Sequence, residues 1–173
     1  MLDRTRLRLR AMVTTDAETV LKIYGEGIQT GHATFEAEVP DWHKWDSGHL
    51  TLCRWVAEEG QTVLGWGALT QVSSRKVYSG VAEFSIYVSG AAQNQGIGSI
   101  LLERLIISSE ESGFWTMQAH VFPENKISIH VHEKHGFRKS GTRRQLALMS
   151  YGSFAGEWRD VILMERRSKK VGI

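Results

Sequence analysis

The pattern of apolar and polar positions predicts strands at both ends of the chain and helices between them. Residues 6–11 alternate arginine with leucine, which is typical of a half-buried strand. A helical spacing follows in Val20, Leu21, Tyr24 and Ile28, and Thr15 with Glu18 predicts a capping box before it. Residues 29–45 lack regular periodicity, and Pro40 suits the first turn of a short helix. A strand followed by a helix therefore begins the fold.

The middle of the chain alternates strands with helices. Residues 50–72 hold two strand runs joined by a hairpin turn at 58–62 that contains Gly60. Residues 82–88 form a half-buried strand, and a helical pattern runs from Gly96 to a C-terminal cap near Gly113. A strand at 115–121, a helix from Asn125 to Gly136 and a last strand at 158–166 follow. This order favours a mixed α/β sheet.

Composition limits the class of protein. The 173 residues, 42% of them hydrophobic, suit one globular domain that spans residues 1–173. The net charge of +2 is slight, and the basic residues from about 166 read as a solvated tail, so we expect no nucleic-acid partner. No segment is apolar enough to span a bilayer, so we expect no membrane partner. The single cysteine, Cys53, fits a buried position in a strand and a reducing, cytoplasmic compartment.

A glycine-rich turn at 93–98 separates the strand at 82–88 from the helix that follows it. Gly96 and Gly98 lack side chains, so backbone amides at the helix start can approach an anionic group. A phosphate-binding Walker loop requires a lysine that is absent here, and a dinucleotide fingerprint requires a glycine where Leu101 stands. A cofactor turn and a purely structural turn both remain open from these residues alone.

The surrounding motifs resemble those of a known enzyme family. The pattern Q-x-x-G-x-G at 93–98, between EFSIYV and an apolar helix, resembles the acetyl-coenzyme A signature of GCN5-related N-acetyltransferases (GNAT). The ordered set IYGEGIQTGHATFE, GVAEFSIYV, QNQGIGSILLE, FPENKISIHVHEKHGF and WRDVILMERR is similar to the phosphinothricin and methionine sulfoximine acetyltransferase group. The resemblance implies a single-domain GNAT fold, with a mixed, mostly antiparallel sheet that is splayed at the fourth strand and flanked by helices.

The resemblance also implies an activity and a cosubstrate. We expect an N-acetyltransferase that moves an acetyl group from acetyl-coenzyme A to the amine of a small amino acid such as phosphinothricin, methionine sulfoximine or methionine sulfone. The resemblance also implies a homodimer, because homodimers are common in the group. Alternatives are another acceptor (an arsenic-containing amino-acid analogue, a polyamine or a protein N-terminus) or a non-catalytic acetyl-coenzyme A sensor.

The resemblance assigns the cofactor to three parts of the chain. The pantetheine arm is expected to pair with exposed backbone of the fourth strand, and the pyrophosphate to lie on the glycine turn. Asn125 and Ser128 are expected on the thioester side, although Asn125 also suits a helix N-cap. The expected cofactor-binding residues are Ile86, Tyr87, Val88, Gln93, Asn94, Gln95, Gly96, Ile97, Gly98, Ser99, Asn125 and Ser128.

Acetyl transfer to an amine requires the removal of a proton, because an alkyl ammonium has a pKa near ~10. Glu83 occupies the family's strand-four glutamate position, and we expect it to accept this proton directly or through water, with an apolar surround that raises its pKa. An exposed strand glutamate is the alternative. The N–H of Val88 is a candidate for stabilising the developing oxyanion. His132 is the candidate acid for the departing thiolate and Tyr87 the fallback; packing of either ring, or unassisted departure, remains open.

Two loops are expected to close over the acceptor. The resemblance places Thr34, Phe35 and Glu36 in one loop and Arg75, Lys76 and Val77 in the other. Arg75 suits bidentate pairing with a carboxylate or phosphinate, or else simple solvation of its loop. The segment MSYGSFAGEW is longer than the turn expected in the group, which leaves the far rim of the pocket undefined. His132 and His135 share a helix face, but no thiol or acidic cluster accompanies them, so we expect no metal.

Overall fold

A computed structural model describes residues 6–173 as a seven-stranded sheet with helices on both faces. The elements are β1 (Leu7–Ala11), α1 (Ala17–Gln29), α2 (Trp42–Gly48), β2 (Trp55–Glu59), β3 (Thr62–Gln71), β4 (Val81–Val88), α3 (Ile97–Glu111), β5 (Thr116–Val121), α4 (Lys126–Lys134), β6 (Arg138–Leu148) and β7 (Trp158–Arg167). The strand order is β1-β2-β3-β4-β5-β7-β6, and all pairs are antiparallel except β4 with β5. The expected mixed, mostly antiparallel α/β sheet is confirmed.

Alternation along β4 gives the two faces of the sheet different neighbours. Phe84 belongs to the core that includes Leu102 of α3 and Ile129 of α4. Tyr87 instead packs with the core of α1, α2 and the tryptophans on the opposite face. Because successive strand side chains point to opposite faces, Glu83 shares the face of Tyr87. The carboxylate therefore faces the α1 and α2 side of the sheet.

The sheet opens between β4 and β5. These parallel strands pair only where residues Val81, Ala82 and Glu83 meet Thr116, Met117 and Gln118. From Phe84 to Val88, β4 keeps its pairing with β3 but has no pairing with β5. One backbone edge of β4 is therefore left open to a cleft, as the resemblance predicted.

The start of α1 differs from the sequence prediction. Its N-cap is Asp16, and no side-chain capping hydrogen bond forms there. The Asp16 carboxylate accepts from the N–H of Val13 at 2.9 Å and from the Arg10 guanidinium at 2.7 and 2.8 Å. The predicted capping box of Thr15 and Glu18 is wrong, because an ion pair with β1 orders this turn instead.

Two further expectations are corrected. Cys53 lies before β2 in a left-handed conformation (φ 56°) and is partly exposed, so it is not a buried strand residue. The basic segment from Arg166 is solvated only in part, because Arg167, Lys169 and Lys170 are exposed while Arg166 and Ser168 are packed. Arg166 donates to the buried Glu110 carboxylate at 3.0 Å, and the hydroxyl of Ser168 donates to the same carboxylate at 2.9 Å. This buried carboxylate holds the segment against the end of α3.

The sequence reading missed β6 altogether. The strand lies at the edge of the sheet beside β7, and every residue in it except Ala147 is exposed. Its register shifts between Lys139 and Gly141 and again between Arg143 and Ala147. An exposed edge strand with these irregularities carries no alternation to recognise. No helix among residues 6–173 has the length and apolar character needed to cross a bilayer.

Candidate active site

A cavity of about 1100 Å³ occupies the opening between β4 and β5. Its walls come from α1 and the loop after it, α2, β4, the N-terminal end of α3, β5 and α4, with Arg143 and Leu146 contributed by β6. Expected site residues that line it are Thr34, Phe35, Glu36, Glu83, Ile86, Tyr87, Val88, Gln93, Asn94, Gly96, Ile97, Gly98, Ser99, Asn125, Ser128 and His132. One cavity thus joins the expected cofactor residues to the expected catalytic pair.

The glycine turn forms the start of α3. Gly96 is the N-cap with φ 85° and ψ 1°, and Asn94 is also left-handed with φ 60°. The first-turn N–H groups of a helix have no intrahelical acceptor, and together with the helix dipole they suit an anion. The chemistry of this turn therefore fits a diphosphate. Gln95 does not line the cavity; its side-chain amide donates to the carbonyl of Ala91 at 3.0 Å.

The open edge of β4 fits an extended, amide-bearing arm. Ile86, Tyr87 and Val88 line the cavity beyond the last pairing with β5. Free strand edges bind extended ligands through main-chain hydrogen bonds. The pantetheine arm of coenzyme A carries amide groups that suit such an edge, so the strand and the turn together can hold the pantetheine arm and the diphosphate of this cofactor.

Glu83 lies at the last residue that pairs β4 with β5, at the inner end of the cleft. One of its oxygens, Oε2, accepts from His120 Nδ1 at 2.9 Å and from the Gln118 amide at 3.3 Å. Burial pushes the pKa of Glu83 upward, but the contacts with His120 and Gln118 and the charge of Arg143 outweigh it, so the net pKa is lowered. The expectation of a raised pKa is wrong because polar neighbours on β5 were not foreseen.

His132 is a buried, neutral imidazole. Its ring stacks on Phe84 with centroids 5.2 Å apart, and its Nδ1 donates to the carbonyl of Ser128. Burial lowers the pKa of His132, so the ring is uncharged at neutral pH. The lone pair then lies on Nε2, which is buried and has no hydrogen-bond partner among residues 6–173. A ring in this state accepts a hydrogen bond at Nε2 and holds no proton there to donate.

Tyr87 is packed between aromatic rings. It stacks on Trp66 and meets Tyr24 edge-on, with both centroids 4.9 Å away. Gly27 of α1 permits this packing, because a Cβ at that position would lie 2.5 Å from the Tyr87 ring. Burial raises the pKa of Tyr87 well above its ordinary value. The hydroxyl is therefore a weak acid, and its packing role is evident.

The loop after α1 closes one side of the cavity. Phe35 packs edge-on against Phe122 with centroids 4.9 Å apart. Asn125 caps α4 by accepting from the N–H of Ser128 at 3.1 Å, and its amide donates to the carbonyl of His32 at 3.4 Å. Asn125 therefore serves as an N-cap and also fastens the loop to the cavity wall.

The segment between β6 and β7, which the sequence left undefined, packs onto this loop. The hydroxyl of Tyr151 donates to the carbonyl of Thr34 at 2.8 Å. The buried guanidinium of Arg159 donates to the carbonyl of Gly31 and, at 3.1 Å, to Glu124, and it lies 4.3 Å from the centroid of Phe154. The sequence reading missed Arg159, although an arginine inside the apolar strand WRDVILM was an available signal.

The expected second acceptor loop does not reach the cavity. Arg75, Lys76 and Val77 are exposed and absent from its lining, and the Arg75 guanidinium lies over Tyr78 at 5.4 Å. Arg143 of β6 does line the cavity, and no ion-pair partner for it occurs among residues 6–173. Its charge contributes to the lowered pKa of Glu83. An unpaired cation therefore stands near the carboxylate.

The histidines of α4 do not assemble a metal site. His135 Nε2 is hydrogen bonded to the Ser99 hydroxyl at 2.7 Å, and His132 is directed into the core. Within the described part of the chain, no group of three or more histidine, cysteine or acidic side chains is placed to hold a metal ion.

Comparisons with known proteins agree with this geometry. Residues 20–137 match the model of the acetyltransferase (GNAT) family. Phosphinothricin N-acetyltransferase of Alcaligenes faecalis is 30% identical over 174 residues, covering 95% of this chain and 84% of that protein. The L-methionine sulfoximine/L-methionine sulfone acetyltransferase of Salmonella typhimurium is 31% identical over 110 residues, which is 64% of this chain and 61% of that protein.

A solved structure extends the likeness to the whole fold. The phosphinothricin acetyltransferase of Sinorhizobium meliloti, solved in complex with acetyl-coenzyme A, superposes with a TM-score of 0.85 at 27% identity, covering 96% of this chain and 91% of that one. The chain belongs to the GNAT family of acetyltransferases. Enzymes of this family use acetyl-coenzyme A as the acetyl donor, and the cleft described above has the features that such a donor requires.

Proposed function

We propose that this protein is an N-acetyltransferase that moves the acetyl group of acetyl-coenzyme A to the α-amine of a small amino acid bearing an anionic or strongly polar side group. Phosphinothricin, methionine sulfoximine and methionine sulfone are the leading acceptors. The observation that carries the proposal is the position of Glu83, an anionic carboxylate at the inner end of the β4–β5 cleft. It faces a cavity that the cofactor residues also line.

The donor would be held by the expected cofactor residues. Backbone N–H groups from Gln93 to Ser99 would hold the pyrophosphate, and the open edge at Ile86, Tyr87 and Val88 would hold the pantetheine arm. Asn125 and Ser128 would line the thioester side. The N–H of Val88 would stabilise the negative charge that develops on the carbonyl oxygen. Acetyl-coenzyme A supplies the activated acetyl group when bound.

The acceptor would lie on the α1 side of β4, between Glu83 and the loop of Thr34, Phe35 and Glu36. An ammonium is attracted to the Glu83 carboxylate, and the unpaired Arg143 suits a carboxylate or phosphinate on the same small molecule. We assign the anionic group to Arg143, because Arg75, Lys76 and Val77 stand outside the cavity. This charge arrangement fits an amino acid with two anionic groups, or an amino acid with one anionic group and a polar group at the end of its side chain.

Thiolate departure would proceed without a proton from His132. The His132 ring is neutral, and its Nδ1–H donates a hydrogen bond to the carbonyl of Ser128. This state supports a role for Nε2 as a hydrogen-bond acceptor beside the sulfur rather than as an acid. Tyr87 is even less suited, because burial raises its pKa. A thiolate is a competent leaving group without protonation, since thiols have a pKa near ~8.5.

We also propose a cytoplasmic homodimer formed through the β6 edge. The strand ends the sheet, and Leu148 (48% exposed) and Trp158 (59% exposed) present apolar surface beside it. Exposed edges of this kind pair readily with a second chain. The unpaired Cys53 suits a reducing compartment. Light scattering after gel filtration measures the mass in solution, and a Trp158→Glu variant would be monomeric if this edge forms the dimer.

The proposed acceptor class is tested by the rate of coenzyme A release with an acceptor panel. Phosphinothricin, methionine sulfoximine and methionine sulfone should exceed a polyamine, an arsenic-containing amino-acid analogue and an N-terminal peptide in kcat/KM. A faster polyamine or peptide would contradict the small amino-acid assignment. Acetyl-coenzyme A binding without release for any acceptor would favour a sensor instead.

A further inference from the structure

Glu83 forms a hydrogen bond with His120, a residue that the family resemblance did not identify. His120 is on β5, across the sheet opening, and its Nδ1 lies 2.9 Å from Glu83 Oε2. Both side chains are partly exposed toward the cavity, at 27% for His120 and 34% for Glu83. The contact therefore joins the two strands at the inner end of the cleft, where the acceptor amine is proposed to lie.

The hydrogen bond between Glu83 and His120 determines which nitrogen of the His120 ring carries the proton and which carries the lone pair. An ionised carboxylate only accepts hydrogen bonds, so Nδ1 carries the proton of the neutral ring. The lone pair is then on Nε2, which has no hydrogen-bond partner among residues 6–173. A carboxylate that orients an imidazole in this way is the arrangement that serine hydrolases use to make a base of the distal nitrogen. Histidine is also the side chain most often used for proton transfer near neutral pH.

We propose that His120 Nε2 accepts the proton of the acceptor ammonium, and that Glu83 orients the His120 ring and stabilises its charged form. This inference rests on the proposed N-acetyltransferase function. It assigns the proton transfer to a residue outside the family glutamate position. Direct acceptance by Glu83 is less favourable, because its own hydrogen bonds hold it as a stable anion.

The proton and bond changes balance. The ammonium gives one proton to His120 Nε2, and the freed nitrogen lone pair forms the new C–N bond as the C–S bond of the thioester breaks. The nitrogen then loses a second proton, which the departing sulfur takes up as a thiol. His120 returns the first proton to solvent, so each turnover yields an amide, coenzyme A and one proton.

Other charged or titratable groups line the same cavity and bear on its pH dependence. The positive groups are Arg143 of β6, Lys44 of α2 and Lys126 of α4, and the negative groups besides Glu83 are Glu36 and Glu124. The titratable rings besides His120 are Tyr24, His32, His49, Tyr87 and His132. Burial raises the pKa values of Tyr24 and Tyr87, so both stay neutral in the range where an imidazole titrates. Burial lowers the pKa values of His49 and His132. Variants at position 120 keep all of these groups, so the difference between their pH profile and that of the wild type reports on His120.

The test compares His120→Gln and His120→Asn with His130→Gln, an exposed histidine on α4 outside the cavity. The acceptor in this test is the compound of the panel that has the highest kcat/KM with the wild-type protein. At pH 7 the His120 variants should lose about 100-fold in kcat/KM, while His130→Gln stays at the wild-type value. Without the base only free amine reacts, so log kcat/KM of the variants should rise by one per pH unit and approach wild type near the acceptor pKa. A wild-type profile in both His120 variants would overturn the proposal.

A second readout does not depend on turnover. Nitrogen NMR of histidine-labelled wild-type protein reports which ring nitrogen of His120 is protonated, with the signal assigned by its loss in His120→Gln. A proton on Nδ1 supports the proposal, and a proton on Nε2 in the neutral ring would overturn it. Absence of turnover with every acceptor would count against the proposed function, while the NMR result would still decide the orientation of His120.

Discussion

The hydroxyl of Tyr151 donates to the carbonyl of Thr34 at 2.8 Å, joining the β6–β7 segment to the loop after α1. The contact spans a sequence separation of 117 residues and fastens one wall of the cavity. Arg159, at the start of β7, donates to the carbonyl of Gly31 in the same loop. The segment between β6 and β7 therefore helps to shape the proposed acceptor side of the site.

Removal of this hydroxyl should weaken acceptor binding more than donor binding. Tyr151→Phe loses one hydrogen bond worth about 1 kcal/mol, so we expect the KM for the acceptor to rise about fivefold. The KM for acetyl-coenzyme A should stay unchanged, because the proposed cofactor residues lie on β4, α3 and α4. Steady-state kinetics with each substrate varied in turn measures both constants. A rise in the acetyl-coenzyme A constant alone would place this contact elsewhere in the mechanism.

Gly96 should serve cofactor binding as well as the geometry of its turn. Gly96 and Gly113 flank α3 with φ of 85° and 87°, so Ala at either position should destabilise the fold by about 1–2 kcal/mol. Only Gly96→Ala distorts the N–H groups proposed to hold the pyrophosphate, and its Kd for acetyl-coenzyme A should rise about tenfold or more. Titration calorimetry and thermal unfolding measure the two effects. Equal Kd values for both variants would remove the turn from the cofactor site.

Arg143 should recognise the anionic group of the acceptor. Arg143→Gln removes an unpaired charge from the cavity, so the KM for phosphinothricin should rise about tenfold with little change for acetyl-coenzyme A. Arg75→Gln is the matched control, because Arg75 stands outside the cavity over Tyr78. Initial rates over a range of acceptor concentrations give the KM of each of the two variants. A larger KM increase in Arg75→Gln than in Arg143→Gln would contradict this prediction. The anionic group of the acceptor would then be assigned to Arg75 in the loop before β4.

Glu110 should stabilise the C-terminal segment in a pH-dependent way. Burial raises the pKa of Glu110, but hydrogen bonds from Arg166 and Ser168 outweigh it and the net pKa falls below the ordinary 4.5. The stabilisation is therefore present above about pH 4.5 and is lost as the pH falls through the folded pKa. At pH 7, Glu110→Gln should lower the free energy of unfolding by about 2 kcal/mol.

The adjacent Glu111 provides the control for this effect, because its side chain is exposed. Glu111→Gln should change the free energy of unfolding little at any pH. Urea unfolding followed at pH 7 and at pH 3 measures both variants against wild type. A Glu110→Gln deficit that is the same at both pH values would show that the carboxylate charge is not the source of the stabilisation.

The sequence was most informative where local chemistry sets the structure. The start of α3 at Gly96 and the Asn125 cap of α4 follow from residues close together in the chain, and both were predicted. The Glu83–His120 contact depends on the short parallel pairing of β4 with β5, which joins residues 37 positions apart. Neither the partner nor the lowered pKa of Glu83 could be inferred from the motif alone.

The other differences between the sequence predictions and the structure arise at an edge strand and at an ion pair. The edge strand β6 is exposed on both faces, so it lacks the period-two pattern that identified β4. Glu110 and Arg166 lie 56 positions apart, and their contact packs the start of a basic segment that was predicted to be solvated throughout. Such interactions are specified by tertiary geometry, and composition does not report them.

The most direct test of the central claim is the identity and origin of the product formed from phosphinothricin. Mass spectrometry with fragmentation locates the acetyl group after incubation with acetyl-coenzyme A. We predict one acetyl group on the α-amine, formed only with the protein present and about 100-fold more slowly at pH 7 with Glu83→Gln. No acetylated product under conditions where acetyl-coenzyme A binding is measured, or an unchanged rate in Glu83→Gln, would contradict the account.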